Sequence, residues 1–398
     1  MSATEFCLPD YDGGSIVNVS ASLARACGVD VPDCPPARLL TPADLANDTL
    51  VLLLIDGLGL EFLRRQGDNV FSRHLRGELT SVLPSTTSSA ISSIATGLAP
   101  RQHAVTGWFM HLRELGAVTA ILPFMPRIGG EVLSKYRVDI HDLLDMQPLF
   151  ERFDRPAHVL MPDWIVDSAY SRLAFAGTRR QGYDGLDDFL RHLRELIEQP
   201  GRGFVYGYWP ELDHLCHEHG VHSSEVAAHF TRLEQAFEAL FAAVVGSRAT
   251  VLLMADHGLI DTAPQRVIAL EEHPLLRDCL SHPLCGEPRL AYCYVRPGAE
   301  ARFERYVSEH LAHACECHRS RELVEAGWFG PGASHPELAH RLGDYCLVMK
   351  DNYVIKDRLL GERPFRQVGV HGGLSRQEMS VPLVVFNAAA ESQSSAPD

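Results

Sequence analysis

The sequence lacks any apolar run long enough to cross a bilayer. Its longest, at Leu50–Ile55 and Thr250–Ala255, fall far short of the ~20 residues that a spanning helix needs. Positive charge is also scarce. Lys and Arg total 36 against 51 Asp and Glu, a formal net charge of −15, so a nucleic-acid polymer, which calls for a basic surface, is not an expected partner. Nor does such a field draw in a small anionic substrate. A phosphate site on this chain has to carry its own local positive charge, and metal ions supply that well. The ten cysteines include no C-x-x-C pair, and Cys315-x-Cys317-His318 is not a usual zinc spacing. Met1–Asp12 shows no basic stretch followed by an apolar core, so no signal peptide is expected. The thiols then read as buried or free, and the cytoplasm is the expected location, with no membrane partner.

What is present suits a large core. The 398 residues are 46% hydrophobic and 22% charged, ordinary for a globular chain that is either one big α/β domain or a domain with an insertion. After a first stretch with one short helical segment, Ser15–Cys27, strand and helix signals alternate. Thr49–Ile55 is a continuous apolar run ended by Asp56-Gly57, the pattern of a strand buried on both faces. Leu58–Gln66 reads as a helix, Leu79–Leu83 as a strand closed by Pro84, and the stretch up to Gly97 as a helix. His158–Met161, Phe204–Trp209, Thr250–Ala255 and Val381–Phe386 read as further strands; Gly185–Ile197 and Ser223–Val245 read as helices. The alternation predicts a mostly parallel sheet with helices on both faces. From about Glu287 the texture changes to Arg289–Val295, Ala299–His313, Arg321–Ala326 and Asp344–Met349, read as a small α/β insertion.

In open α/β sheets ligands bind at the carboxyl ends of the strands. Asp56 follows one predicted strand, Ser85-Thr86-Thr87 a second, Glu211 and Asp213 a third, and Asp256-His257 a fourth. Each alone has an ordinary explanation as a helix cap or turn former; together they require several unrelated coincidences. The hydroxyls of Ser85, Thr86 and Thr87 stand where a helix begins. They read either as an over-supplied N-cap, or as a phosphate site made of free backbone N–H groups beside a threonine nucleophile. Among 20 histidines, His217 stands out: Asp213-x-x-x-His217 puts a carboxylate and an imidazole one helical turn apart. His371, in Gly369-Val370-His371-Gly372-Gly373, is weak evidence alone. The inventory is Asp56, Thr87, Asp213, His217, Asp256, His257 and His371, oxygen and nitrogen donors that fit two zinc ions, with manganese as the other candidate.

These motifs, with Ala95-Thr96-Gly97-Leu98, stand in an order that resembles the nucleotide pyrophosphatase/phosphodiesterases of the alkaline phosphatase superfamily. The resemblance implies that Asp213, His217 and His371 hold one metal, and that Asp56, Asp256 and His257 hold the other, with Thr87 as nucleophile. The spacing to Thr96-Gly97 in that family selects Thr87 over Thr86. Where better-known members carry an Asn that helps bind phosphate, this chain has Ala90. The implied organisation is an N-terminal extension (1–48), a catalytic domain (49–286 and 364–387), an inserted α/β subdomain (287–363) and a disordered tail (388–398).

The implied activity is hydrolysis of a phosphodiester or pyrophosphate bond in a small phosphorylated substrate through a phospho-threonine intermediate. Phosphonate hydrolysis and phosphomonoester hydrolysis are the alternatives within the superfamily. Phosphomutases usually carry Ser in place of Thr87, and the C/S-x-P-x-R context of sulfatases is missing after Asp56. Two readings come from other classes. One is a non-catalytic metal-dependent binding protein. The other is a dinucleotide-binding turn at Asp56-Gly57-Leu58-Gly59, which lacks the third glycine. Trp108, Phe109, Tyr208 and Trp209 lie near predicted strand ends, and read either as stacking or as packing residues.

Overall fold

The computed structural model describes residues 6–362 and 366–394. Its main sheet has seven strands, in the spatial order Leu75–Thr80, Ser380–Asn387, Ala249–Met254, Thr49–Ile55, Gly203–Trp209, Ala157–Pro162, Arg179–Tyr183. From Ala249–Met254 to Arg179–Tyr183 every pairing is parallel, while Ser380–Asn387 runs antiparallel to both its neighbours. The central strand Thr49–Ile55 is buried at every residue because it is hydrogen-bonded on both edges and covered on both faces, which explains its unbroken apolar run.

The covering helices follow helical periodicity. Gly185–Glu198 buries Leu186, Phe189, Leu193, Leu196 and Ile197. Ser224–Val244 buries Val226, Phe230, Leu233, Phe237, Leu240, Phe241 and Val244, and starts where Ser223 Oγ accepts from the Val226 N–H. Each such Leu or Phe contributes about 1.5–3 kcal/mol on burial. The helix Ile16–Ala26, from the N-terminal stretch, is buried and packs on the helix Thr87–Thr96.

A second, wholly antiparallel sheet has the order Cys315–Arg319, Tyr345–Met349, Leu290–Cys293, Cys285–Glu287, Phe109–Leu112, Ala117–Ala120, Met125–Pro126. It is wider than the segment 287–363, because residues 109–126 and Cys285–Glu287 add strands to it. The texture change near Glu287 thus marks the middle of this sheet and not its edge. Three further differences have local causes. The strand expected at Leu79–Leu83 is Leu75–Thr80: its partner begins at Ser380, opposite Thr80, so Ser81–Pro84 have no strand to pair with, although Val82 and Leu83 are buried. The helix expected from Leu58 starts at Leu60, after the turn at Gly57. The tail expected to be disordered is helical over Ala388–Ser394, and 395–398 lie outside the described residues.

Two glycines let the loops at the carboxyl edge close on one another. Gly57 has φ +75°, and a Cβ there would sit 3.0 Å from Asp213 Cβ. A Cβ on Gly258 would come within 2.1 Å of the Gln377 carbonyl oxygen. Gly59 faces Gly258 in the same way, a Cβ on it falling 2.9 Å from Gly258 Cα, so Gly57 and Gly59 serve loop-to-loop contact, which accounts for the fragment of a dinucleotide-binding pattern.

The two sheets are joined through a buried ion pair. Arg289, beside the strand Leu290–Cys293, and Glu378, before Ser380–Asn387, are 1% and 0% exposed, with Nη2 to Oε2 at 2.9 Å and Nε to Oε1 at 3.1 Å. Glu378 also accepts from the Gly373 N–H (2.8 Å) and the Ser375 hydroxyl (2.6 Å), so it fixes the loop that carries His371. Removing one partner of such a pair strands a buried charge, at about 3–5 kcal/mol. Glu378→Ala is therefore expected to lower the unfolding free energy by about that amount in urea titrations. A loss under about 1 kcal/mol would show that the pair does not join the sheets.

Candidate metal centre

All seven residues singled out in the sequence meet at the carboxyl edge of the main sheet. Asp56 follows Thr49–Ile55, Asp256 and His257 follow Ala249–Met254, Asp213 and His217 lie on the helix Glu211–His219 after Gly203–Trp209, and His371 lies on the loop before Ser380–Asn387. Two groups form, Asp56–Asp256–His257 and Asp213–His217–His371, and within each the ligand atoms lie within 4.8 Å of one another. The groups adjoin: the His257 and His371 rings stack with centroids 3.8 Å apart, and the His217 and His371 centroids are 5.1 Å apart. Thr87 Oγ lies 3.2 Å from His257 Nε2 and 3.5 Å from Asp56 Oδ2.

Each imidazole is oriented by the backbone. Nδ1 of His217 faces the Gly369 carbonyl oxygen (2.8 Å), that of His257 the Gly258 oxygen (3.1 Å) and that of His371 the Ser85 oxygen (3.1 Å). Donation from Nδ1 to a carbonyl fixes the tautomer and leaves Nε2 as the lone-pair donor, the arrangement of metal-ligating histidines.

The carboxylates show the complementary property. Asp56 Oδ1, Asp213 Oδ1 and Asp256 Oδ2 are buried with no hydrogen-bond partner, a condition that native interiors avoid. The other oxygens are held. Asp256 Oδ1 accepts from the Gly57 and His257 N–H groups at 3.1 and 3.0 Å, and Asp56 Oδ2 accepts from the Tyr208 hydroxyl. Buried oxygens without donors, aimed into groups that also offer imidazole Nε2, fit divalent cations and leave their charge uncompensated otherwise.

Charge coupling follows. Burial, then the nearby Asp256 and Asp213, holds the Asp56 carboxyl well above the usual range. For Asp213 burial pushes upward, but His217, together with His371 and His257, outweighs it and holds the carboxyl well below that range. His217 is the mirror case. Burial opposes its charge, yet Asp213, with Oδ2 3.2 Å from Nε2, raises it to about 9. His371 is depressed by burial and by His257.

The hydroxyl cluster is not a helix cap. Thr86 stands at the N-cap position of Thr87–Thr96 but makes no side-chain cap bond. Its hydroxyl donates instead to Glu287 Oε1 (2.7 Å), and that of Ser85 donates to the Gly373 oxygen (2.7 Å). The first turn therefore keeps N–H groups for an anion. Ala90 is fully buried inside that helix and offers the site nothing.

Of the aromatics, buried Tyr208 donates its hydroxyl to Asp56 and so positions that carboxylate, and Trp209 is a packing residue buried against Tyr183 and His229. Glu211, His214, His219 and His222 are exposed. Glu287 was not legible as a site residue. It is 8% exposed, pushed up to about 7 by burial, and accepts from Thr86 and from the Trp108 N–H (2.7 Å). No motif surrounds it, and only the pairing of the second sheet brings it to the rim.

The raised His217 gives a signed pH dependence for the metal-free chain. Its contribution is complete below the unfolded value of about 6.5 and is lost as pH rises through about 9. Asp56, raised by burial, acts in the same sense as it ionises. Chelator-treated protein should lose on the order of 3 kcal/mol of unfolding free energy between pH 6.5 and 9, and Asp213→Asn should flatten the profile. Urea titrations across that range read it, and a flat wild-type profile would contradict the coupling.

The comparisons agree with this geometry. The family model for type I phosphodiesterase/nucleotide pyrophosphatase matches residues 50–374. Among solved structures, murine ectonucleotide pyrophosphatase/phosphodiesterase 5 superposes with a TM-score of 0.63 at 15% identity, covering 84% of this chain and 87% of that one. Phosphonoacetate hydrolase from Sinorhizobium meliloti, in complex with phosphonoformate, superposes with a TM-score of 0.61 at 16% identity, covering 86% and 90%. No curated protein sequence matches. Among the described residues no helix is long and apolar enough to cross a membrane. The chain belongs to the type I phosphodiesterase/nucleotide pyrophosphatase family of metal-dependent hydrolases, within the alkaline phosphatase superfamily.

Proposed function

We propose that this chain is a two-zinc hydrolase of phosphodiester or pyrophosphate bonds in a small phosphorylated substrate, acting through a phospho-threonine intermediate on Thr87. The observation that carries this reading is the position of the Thr87 hydroxyl, against Asp56 and His257 at the start of an uncapped helix.

Asp213, His217 and His371 would hold one ion, and Asp56, Asp256 and His257 the other. Bound there, such ions supply positive charge that favours a threonine alkoxide and a departing oxyanion. The chain's own part is positioning. Backbone N–H groups at the first turn of Thr87–Thr96 bind phosphoryl oxygens. The Thr87 Oγ forms a bond to phosphorus as the bond to the leaving oxygen breaks, and the threonine proton passes to solvent. Water then cleaves the phospho-threonine, restoring the hydroxyl and releasing the phosphoryl product. An inactive threonine-to-alanine variant of murine ectonucleotide pyrophosphatase/phosphodiesterase 5 is known in complex with AMP, which supports a catalytic threonine and a nucleotide among the substrates to try. The likeness to phosphonoacetate hydrolase favours phosphonates as the second substrate class.

Two outcomes are expected with bis-p-nitrophenyl phosphate as substrate. Thr87→Ala should lower kcat by roughly 10³-fold or more while zinc content stays near two per chain by elemental analysis. Activity retained in that variant removes Thr87 from the mechanism. Thr86→Ala, whose hydroxyl is committed to Glu287, should cost only about tenfold or less. Separately, a chelator should abolish nitrophenol release and added zinc should restore it; turnover indifferent to both would contradict the metal assignment.

A further inference from the structure

Glu287 is an acidic side chain at the rim that neither ligand group uses. It ends the strand Cys285–Glu287 and is nearly buried. Oε1 accepts from the Thr86 hydroxyl and the Trp108 N–H, each at 2.7 Å. A Cβ built on Gly372 would fall 2.5 Å from Glu287 Cβ, so the residue also packs on the loop that carries His371. It stands between the neighbour of Thr87 in sequence and the neighbour of His371.

No arginine or lysine among the described residues hydrogen-bonds to Glu287, Thr86, Trp108 or any of the seven centre residues, and no described donor reaches Glu287 Oε2. Arg289, two residues on, is committed to Glu378, and Lys135 and Lys350 are engaged with Glu131 and the Ala312 carbonyl oxygen. No arginine or lysine therefore cancels the carboxylate charge, and the imidazole that acts on it is His217, itself a candidate metal ligand. Glu287 Oε1 is one hydrogen bond, 2.7 Å, from the hydroxyl of Thr86, the residue next to Thr87. For a separation on the order of 7 Å and an effective dielectric near 20, each additional negative charge on a bound phosphoryl group is disfavoured by a factor of roughly tens.

We propose that Glu287 is a charge filter of the phosphoryl site, selecting groups that carry one negative charge, as in diesters and the internal linkage of pyrophosphates, over the dianion of a monoester. This deepens the function proposed above and rests on it. The plainer role, acceptor for Thr86 and Trp108, needs no charge, and a glutamine amide oxygen would fill it equally well. Glu287→Gln separates the two.

The test uses the zinc-loaded full chain at pH 8.5. Calorimetric titration with inorganic phosphate and with dimethyl phosphate compares wild type, E287Q and E287D. E287Q should bind inorganic phosphate about tenfold more tightly with dimethyl phosphate changed less than threefold, and E287D should keep the wild-type preference. In turnover, the kcat/KM ratio of p-nitrophenyl phosphate to bis-p-nitrophenyl phosphate should rise about tenfold in E287Q, mainly through KM. The filter is overturned if E287Q leaves both affinities within twofold, if it weakens both ligands together, or if neither form binds phosphate. Binding is read without turnover. A wild type that binds both ligands and hydrolyses neither substrate would defeat the proposed function, while the affinity ratio would still decide the filter.

Discussion

Three carboxylates brought to one sheet edge, each with a buried oxygen that nothing in the chain satisfies, set the terms for the rest of the structure. An uncompensated buried charge is worth several kcal/mol against folding, comparable to a large share of a domain's net stability. The chain tolerates Asp56, Asp213 and Asp256 because each is anchored by its other oxygen or by His217. Carbonyl oxygens turn three imidazoles so that Nε2 faces the same space. The remaining deficit is the one a cation fills. Metal binding in this fold is therefore also a folding interaction, and affinity for the ions and stability of the edge are linked.

That edge would be loose if the main sheet alone held it. Its candidate ligands come from three strand ends and the loop of His371, and these segments have to be locked relative to one another. Glu378 performs much of this. It receives N–H and hydroxyl groups from the His371 loop, its own carbonyl accepts from Gly258, and its carboxylate binds Arg289 of the second sheet. The glycines at 57 and 258 remove the side chains that would keep these loops apart. The second sheet is thus part of the site's framework, and it delivers Glu287 and the Trp108 backbone to the same rim.

The sequence made the centre legible because every ligand but His371 sits at a place that local pattern marks: the residue after an apolar strand, or one helical turn beyond it. Thr49–Ile55 has the observed bounds, Phe204–Trp209 differs by one residue at its start, and Thr250–Ala255 is offset by one residue at both ends. The failures share a cause. Leu79–Leu83 is as apolar as a strand and as buried as one, but a strand needs a partner, and Ser380 is where the partner begins. The breadth of the second sheet was hidden for the same reason, since Phe109–Leu112 finds its neighbour Gly286 in a segment far away along the chain. Burial is a local property of sequence; pairing is not.

The helix Thr87–Thr96 shows how structure decides between two readings that sequence leaves level. A cluster of hydroxyls before a helix fits a cap and fits an anion site equally well, because both use the same free N–H groups. The choice turns on where the hydroxyls go. Thr86 donates to Glu287, Ser85 donates to Gly373, and Ser92 and Thr96 donate back to the carbonyls of Ser88 and Ser92. Each donates to an acceptor of its own and Thr86 makes no cap bond to a first-turn N–H, while Thr87 turns toward Asp56 and His257. A helix start left uncapped inside a buried site, with one hydroxyl facing Asp56 and His257 of a single ligand group, has traded local stability for a place to bind charge, and the acidic rim at Glu287 then governs how much charge that place accepts.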